Sequence, residues 1–392
     1  MHKKIDGDSV VPQPSMPALT GLRGAAAVAV VFVHLHLPAY FLITSPVFVA
    51  FREFGWIGVP MFFVLSGYLI TCLGCNENHD RGGFNLGRFY LRRILRIWPI
   101  YFVAVATGEI LFYVPHLTQL GAAPRWLIPL CTFSTNFSMV ARHSGAGLRD
   151  LTPMWTLSAE MQFYAIWGVC LWLSSLCIDK TFSVRLLLSF GLAALIVFTC
   201  LRLFWAFAAP PESYLLYRVN PLVSAGSPLI GCLAALARKP VIRFLERPAG
   251  FTLAFACVIG AMALVGTALP ETPWGRFLLT SAVDVYCALL VLICAVGSGR
   301  LAHFLSTKLM MFLGEISYSL YVIHSGVLTV FYALRGRLLF PSPILHPYVA
   351  LILDTVIIFM VAISVSALLT RLEAPVRNFR NRICIEARPE PL

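Results

Sequence analysis

The chain has 392 residues, 59% of them hydrophobic and only 12% charged, with a formal charge of +12. Soluble domains carry about 25% charged residues, and a mean hydropathy of +0.81 points instead to an all-α polytopic membrane helix bundle. In such a bundle excess Lys and Arg anchor cytoplasmic loops. No nucleic-acid partner is therefore expected, since a basic balance alone is weak evidence for one.

The N-terminal residues carry Lys3, Lys4, Asp6, Asp8 and three prolines. The apolar run after Arg23 is long for a cleaved signal peptide and reads as an uncleaved first span. A crossing needs about 20 mostly apolar residues. Ten segments qualify in chain order: 24–43, 56–73, 99–116, 154–174, 183–204, 219–237, 250–268, 277–297, 312–334 and 347–370. With a cytoplasmic N-terminus, the inner segments hold 21 Lys and Arg and the outer loops 8, Arg202 lying within a span. This asymmetry predicts that both termini are cytoplasmic. "WLIPLCTFSTNF" (Trp126 to Phe137) is apolar but short, and a crossing there would turn 13 later inner charges outward. It is expected to be interfacial or re-entrant. The domain organisation is a tail at 1–16, a membrane domain at 17–380 and a tail at 381–392.

Most of the eleven cysteines lie in apolar runs, where Cys acts as a small hydrophobe. Cys72 and Cys75 form one C-x-x-C, with no second pair at zinc-site spacing, so no metal is expected.

Polar residues inside apolar runs need an explanation, because a bilayer makes them expensive. Arg23 and His34 are eleven residues apart, close to three helical turns, and share a face about 16 Å apart. With Arg23 at the cytoplasmic boundary, His34 is expected near the midplane and facing function. His36 lies on another face, where a structural role is favoured. In "GRFYLRRILRIWPIYF", Arg88, Arg92, Arg93 and Arg96 precede a helix start at Pro99. Arg92 and Arg96, or Arg93 and Arg96, could form one basic face. That face is either a lipid anchor or a phosphate site. In "TPMWTLSAEMQFYAIW", Trp155 fits an interfacial belt. Glu160 is placed near the outer end of the fourth span, with Tyr164 one turn further in. In "LGEISYSLYVIHSG", Ser317, Tyr321 and His324 share a face. His324 reaches roughly 15 Å deep, level with His34. In "RLEAPVRNFR", Pro375 is expected to end the last helix.

These clusters suit a phosphate-bearing donor with a long arm, delivering a group to an outward-facing acceptor. Acyl-coenzyme A has that shape, and a desolvated neutral His could deprotonate a hydroxyl or carry the acyl group. The chain resembles the acyltransferase family 3, the membrane-bound O-acyltransferases of surface polysaccharide, lipopolysaccharide O-antigen and peptidoglycan. The resemblance rests on Arg23-x10-His34, "FFVLSGYLIT" (Phe62 to Thr71), "RRILRIWPIYF" (Arg92 to Phe102), "WTLSAEMQFY" (Trp155 to Tyr164) and "GEISYSLYVIH" (Gly314 to His324), in that order, and covers residues 17 to about 380.

The resemblance implies a ten-helix bundle in the bacterial cytoplasmic (inner) membrane and transfer of an acyl group to a hydroxyl. The co-substrate is an acyl-CoA, usually acetyl-CoA, with no tightly bound cofactor. His34 is the implied catalytic residue, and Arg23, Arg93 and Arg96 serve the donor. With the residue reading added, the candidate set is His34, Glu160 and His324 for catalysis and Arg23, Arg92, Arg93 and Arg96 for the donor. Expected partners are a glycan or lipid-linked sugar acceptor and membrane lipids. The resemblance is to stand-alone members, without an appended hydrolase-like domain. The competing readings are a transporter or flippase for a glycan or lipid-linked sugar, and a non-catalytic assembly subunit.

Overall fold

The computed structural model describes residues 16–35, 55–113, 120–177, 180–208, 214–245, 247–267, 272–297, 299–338 and 347–385. Among the described residues the structure is helical, with no strand. The long helices are α1 (Pro17–Val33), α2 (Gly58–Arg81), α3 (Leu86–Phe112), α4 (Trp155–Ser175), α5 (Lys180–Ala208), α6 (Gly226–Leu236), α7 (Pro248–Thr267), α8 (Pro273–Val296), α9 (Lys308–Leu338) and α10 (Pro347–Leu372). An eleventh, α11 (Ala374–Ile385), follows. The ten apolar segments each overlap one of α1 to α10. Six helices (α2, α3, α5, α8, α9 and α10) contain stretches long and apolar enough to cross a bilayer.

Local chemistry sets several boundaries. Asn85 caps α3 by accepting the Arg88 N–H at 2.8 Å, and Thr272 caps α8 by accepting the Gly275 N–H at 2.9 Å. Gly82 (φ +68°) and Gly297 (φ +73°) end α2 and α8 in the left-handed region.

Three expectations are corrected. α1 begins at Pro17 and ends with His34 as its C-cap, so His34 terminates the first helix instead of sitting inside a span to residue 43. α3 begins at Leu86 and carries Pro99 within it. The ring removes the N–H that would bond Leu95, yet the helix continues to Phe112. α10 stops at Leu372, just before Pro375, as expected, but a further helix follows, with Pro375 in the first turn of α11, where its missing N–H costs little. Trp155 is buried, packed edge-on against Phe63 at 6.1 Å. The segment near Trp126 forms Leu127–Cys131 and Thr135–Ala141, five and seven residues, each too short to cross a bilayer.

Glycines bring the site helices together. A Cβ on Gly314 would lie 2.0 Å from the Thr20 carbonyl oxygen, and one on Gly24 would lie 2.7 Å from the Gly314 amide nitrogen. Only glycine allows α1 and α9 to pack this closely. The crossing holds Arg23 and His34 of α1 against the polar face of α9.

Two charged pairs lie elsewhere in the bundle among the described residues. Arg202 of α5 meets Asp284 of α8 at 2.8 Å, both buried, and also donates to the Val223 carbonyl at 2.9 Å. Arg335 of α9 meets Asp354 of α10 at 2.8 Å.

Candidate active site

A small cavity of about 50 Å³ lies among α1, α2, α3, α4 and α9. Arg23, Arg93, Arg96, Glu160 and Tyr164 line it, together with Ser66, Thr156, Tyr318 and Tyr321. The Glu160 carboxylate accepts hydrogen bonds from the Ser66 hydroxyl and the Tyr164 phenol. Arg93 is buried, its guanidinium 5.2 Å from the Tyr164 ring centre and 5.4 Å from that of Phe89. Cation–π contacts of this kind stabilise a desolvated cation only in part, and Arg93 Nε has no hydrogen-bond partner.

Three guanidinium groups and one carboxylate face the cavity, which leaves it two positive charges in excess. Among the described residues no carboxylate lies within 4.0 Å of Arg23, Arg93 or Arg96. A cavity with excess positive charge in a low-dielectric bundle is chemically suited to an anion.

A second polar group adjoins it. Tyr321 forms part of the cavity wall, its hydroxyl 2.7 Å from Thr156 Oγ1 and 3.2 Å from the Pro153 carbonyl oxygen. Its ring lies 5.6 Å from His324, and the His324 ring lies 4.8 Å from His34, edge-on at 62°. His34 Nδ1 is 2.8 Å from the Val30 carbonyl oxygen, and His324 Nδ1 bonds the Tyr321 carbonyl oxygen. A carbonyl only accepts, so Nδ1 carries the proton in both rings and Nε2 presents the lone pair. The structure therefore sets both tautomers as Nε2 bases. His324 is buried and its Nε2 has no partner, whereas His34 is exposed at the end of α1.

The structure thus joins Arg23, Arg93, Arg96 and Glu160 in one cavity, and His34 with His324 beside it. Arg92 is elsewhere: its guanidinium pairs with Glu77 at 2.8 Å, and Arg88 approaches the same carboxylate at 3.7 Å. Neighbouring helix positions differ by about 100°, so the face that presents Arg93 and Arg96 turns Arg92 away. The arginines and Glu160 were expected toward opposite sides of the membrane. They share a cavity because Arg96 sits ten residues into α3, about 15 Å from its start. His36 lies outside the described residues. Ser66, Thr156 and Tyr318 escaped the sequence reading, although Ser66 interrupts the apolar run "FFVLSGYLIT".

Comparison with known proteins agrees with this geometry. The chain matches the model of the acyltransferase family 3, described as an acyltransferase domain, over residues 16–371. The peptidoglycan O-acetyltransferase OatA of Listeria monocytogenes serovar 1/2a is 25% identical over 334 residues, covering 80% of this chain and 50% of that protein. The O-acetyltransferase OatA of Staphylococcus aureus (strain NCTC 8325 / PS 47) is 24% identical over 335 residues, covering 80% and 50%. The chain spans about half the length of these curated relatives. No solved structure matches it. With the family model covering nearly the whole helical bundle and its cavity, the chain belongs to the acyltransferase family 3.

Proposed function

We propose that the protein transfers an acyl group, acetyl by preference, from cytoplasmic acyl-CoA to a hydroxyl of an extracytoplasmic or lipid-linked glycan. The helical bundle sits in the bacterial cytoplasmic membrane, with both termini inside. The observation that carries this reading is the cavity of three arginines without ion-pair partners, ending at a wall behind which two imidazoles present Nε2. Arg23, Arg93 and Arg96 hold the donor's phosphates, and Glu160 with Ser66 and Tyr164 fixes the arginine side of the cavity. The acceptor oxygen attacks the thioester carbonyl while a histidine Nε2 takes its proton. The C–S bond breaks and the coenzyme A thiolate leaves, to be protonated by the imidazolium. Tyr321 and Thr156 form the polar wall at that point, their hydroxyls bonded to the Pro153 carbonyl oxygen and to each other.

The direct test incubates purified protein with acetyl-CoA and measures coenzyme A thiol release. Release that depends on His34 and rises with added glycan acceptor is expected. A transporter would release none, and that result would overturn the reading.

A further inference from the structure

A second, larger cavity lies on the other side of α9. A space of about 520 Å³ separates α3, α9 and α10, lined almost wholly by aliphatic side chains from Ile100 to Leu111, Val322 to Leu334 and Val361 to Leu369. Along α9 it extends twelve residues, about 18 Å. Its walls reach the bundle surface, where Val103 and Val361 are 50% and 43% exposed. A hydrocarbon chain can therefore enter sideways from the bilayer.

One feature is foreign to an ordinary lipid groove. Asp150, on the turn Arg149–Met154 that precedes α4, lines it. The side chain is 8% exposed, and Oδ1 has no hydrogen-bond partner. Oδ2 lies 3.5 Å from where a Cβ would stand on Gly326, and 3.7 Å from the corresponding point on Gly108. Gly326 is two residues beyond His324, about 3 Å along α9. The carboxylate therefore opens into the groove close to the level of the imidazoles. A buried carboxylate oxygen without a donor is costly, and a plain acyl chain offers it nothing.

We propose that this groove binds the hydrocarbon chain of a lipid-linked saccharide, with Asp150 Oδ1 hydrogen-bonded to a saccharide hydroxyl. This deepens the acyl-transfer reading and rests on it, because it assigns the acceptor its own site, opposite the arginine cavity. The chain's hydrocarbon lies between α3, α9 and α10, and the sugar sits at the level of His324.

The test needs no turnover. The full chain in nanodiscs is photolabelled with two probes carrying a diazirine in the alkyl chain: a dodecyl glucoside and a dodecyl methyl ether without hydroxyls. Peptide mass analysis locates the adducts, and thiol release from acetyl-CoA is followed on the same preparation. The glucoside is expected to label residues 322–334 in preference to the ether, and palmitoyl-CoA should not displace it. Asp150→Asn keeps one acceptor but replaces the other oxygen with a donor, and should cut glucoside labelling roughly fivefold while leaving ether labelling unchanged. Val330→Trp should block both probes. Equal labelling by the two probes, an unaltered Asp150→Asn variant, or displacement by palmitoyl-CoA would overturn the proposal. Loss of thiol release with labelling intact would count against the acyl-transfer reading instead.

Discussion

Two sets of intramembrane arginines show how differently the same side chain is used. Arg202 has a carboxylate of its own: its guanidinium meets Asp284 at 2.8 Å and the Val223 carbonyl at 2.9 Å. Arg23, Arg93 and Arg96 face a cavity with one carboxylate, which is already accepting two hydrogen bonds. In the first arrangement the cation has its own buried carboxylate, although Asp284 Oδ1 has no hydrogen-bond partner. In the second, no carboxylate among the described residues lies within 4.0 Å of the three arginines, and Arg93 Nε has no hydrogen-bond partner. The difference lies in charge: one arginine is neutralised by the protein, and the three are neutralised only in part.

The largest expected effect is at the histidines. A general base contributes 10²–10⁴-fold, roughly 3–5.5 kcal/mol of barrier. His34→Gln should lose transfer on that scale while protein abundance and donor binding persist. If His34→Gln keeps near-normal turnover, the base is His324, whose unpartnered Nε2 is the alternative.

Breaking the Arg202–Asp284 pair should act on folding instead. Asp284→Ala leaves the Arg202 cation buried alone, at a cost of about 3–5 kcal/mol. Its signature is lost abundance and a lower Tm, with unchanged acyl-CoA affinity in the protein that remains. Replacing both partners with Leu and Met should restore most of the Tm. A double variant as unstable as the single one would mean the pair does more than neutralise charge.

Asp150 supplies a pH-dependent comparison. Burial, reinforced by nearby Glu109 and opposed by Arg149 and by backbone N–H groups, pushes its carboxyl up to about 7. Between about pH 4 and pH 7 the unfolded chain is ionised there while the folded chain keeps its proton, so stability falls as pH rises through that window. Asn cannot ionise. The Tm gain of Asp150→Asn over the parent should therefore be larger at pH 8 than at pH 5. A pH-independent difference would show that the carboxyl titrates normally.

The smallest effect is at Arg92. Its ion pair with Glu77 is partly exposed, and such pairs contribute about 0–1 kcal/mol. Arg92→Ala should change Tm by a degree or two and leave donor affinity intact. A clear loss of affinity would place Arg92 with the cavity arginines.

Much of this arrangement is legible in the sequence, for physical reasons that stop at identifiable residues. Apolar runs register wherever they occur, because their length is set by the bilayer. The eleven-residue spacing of Arg23 and His34 survives as a shared helix. Pro99 misleads because proline is favoured at helix starts, yet here it lies inside α3. Spacing alone allows either Arg92 or Arg93 to face inward with Arg96; the position of Glu77 across the gap between α2 and α3 decides it. Asp150 sits in a short inter-span segment with no periodicity, and only the close approach of Gly108 and Gly326 reveals what it faces.

The central claim is that the three-arginine cavity is a receptor for the donor's phosphates. Isothermal titration of coenzyme A into the detergent-purified protein and its Arg93→Gln and Arg96→Gln variants tests it most directly. Each lost charge-assisted contact is worth about 1.5–3 kcal/mol, roughly 10- to 150-fold in Kd. The account predicts weakening of that size for both variants, steeper at low salt, with Tm equal to or above the parent because an uncompensated cation has been removed. Unchanged coenzyme A affinity in correctly folded variants would contradict it.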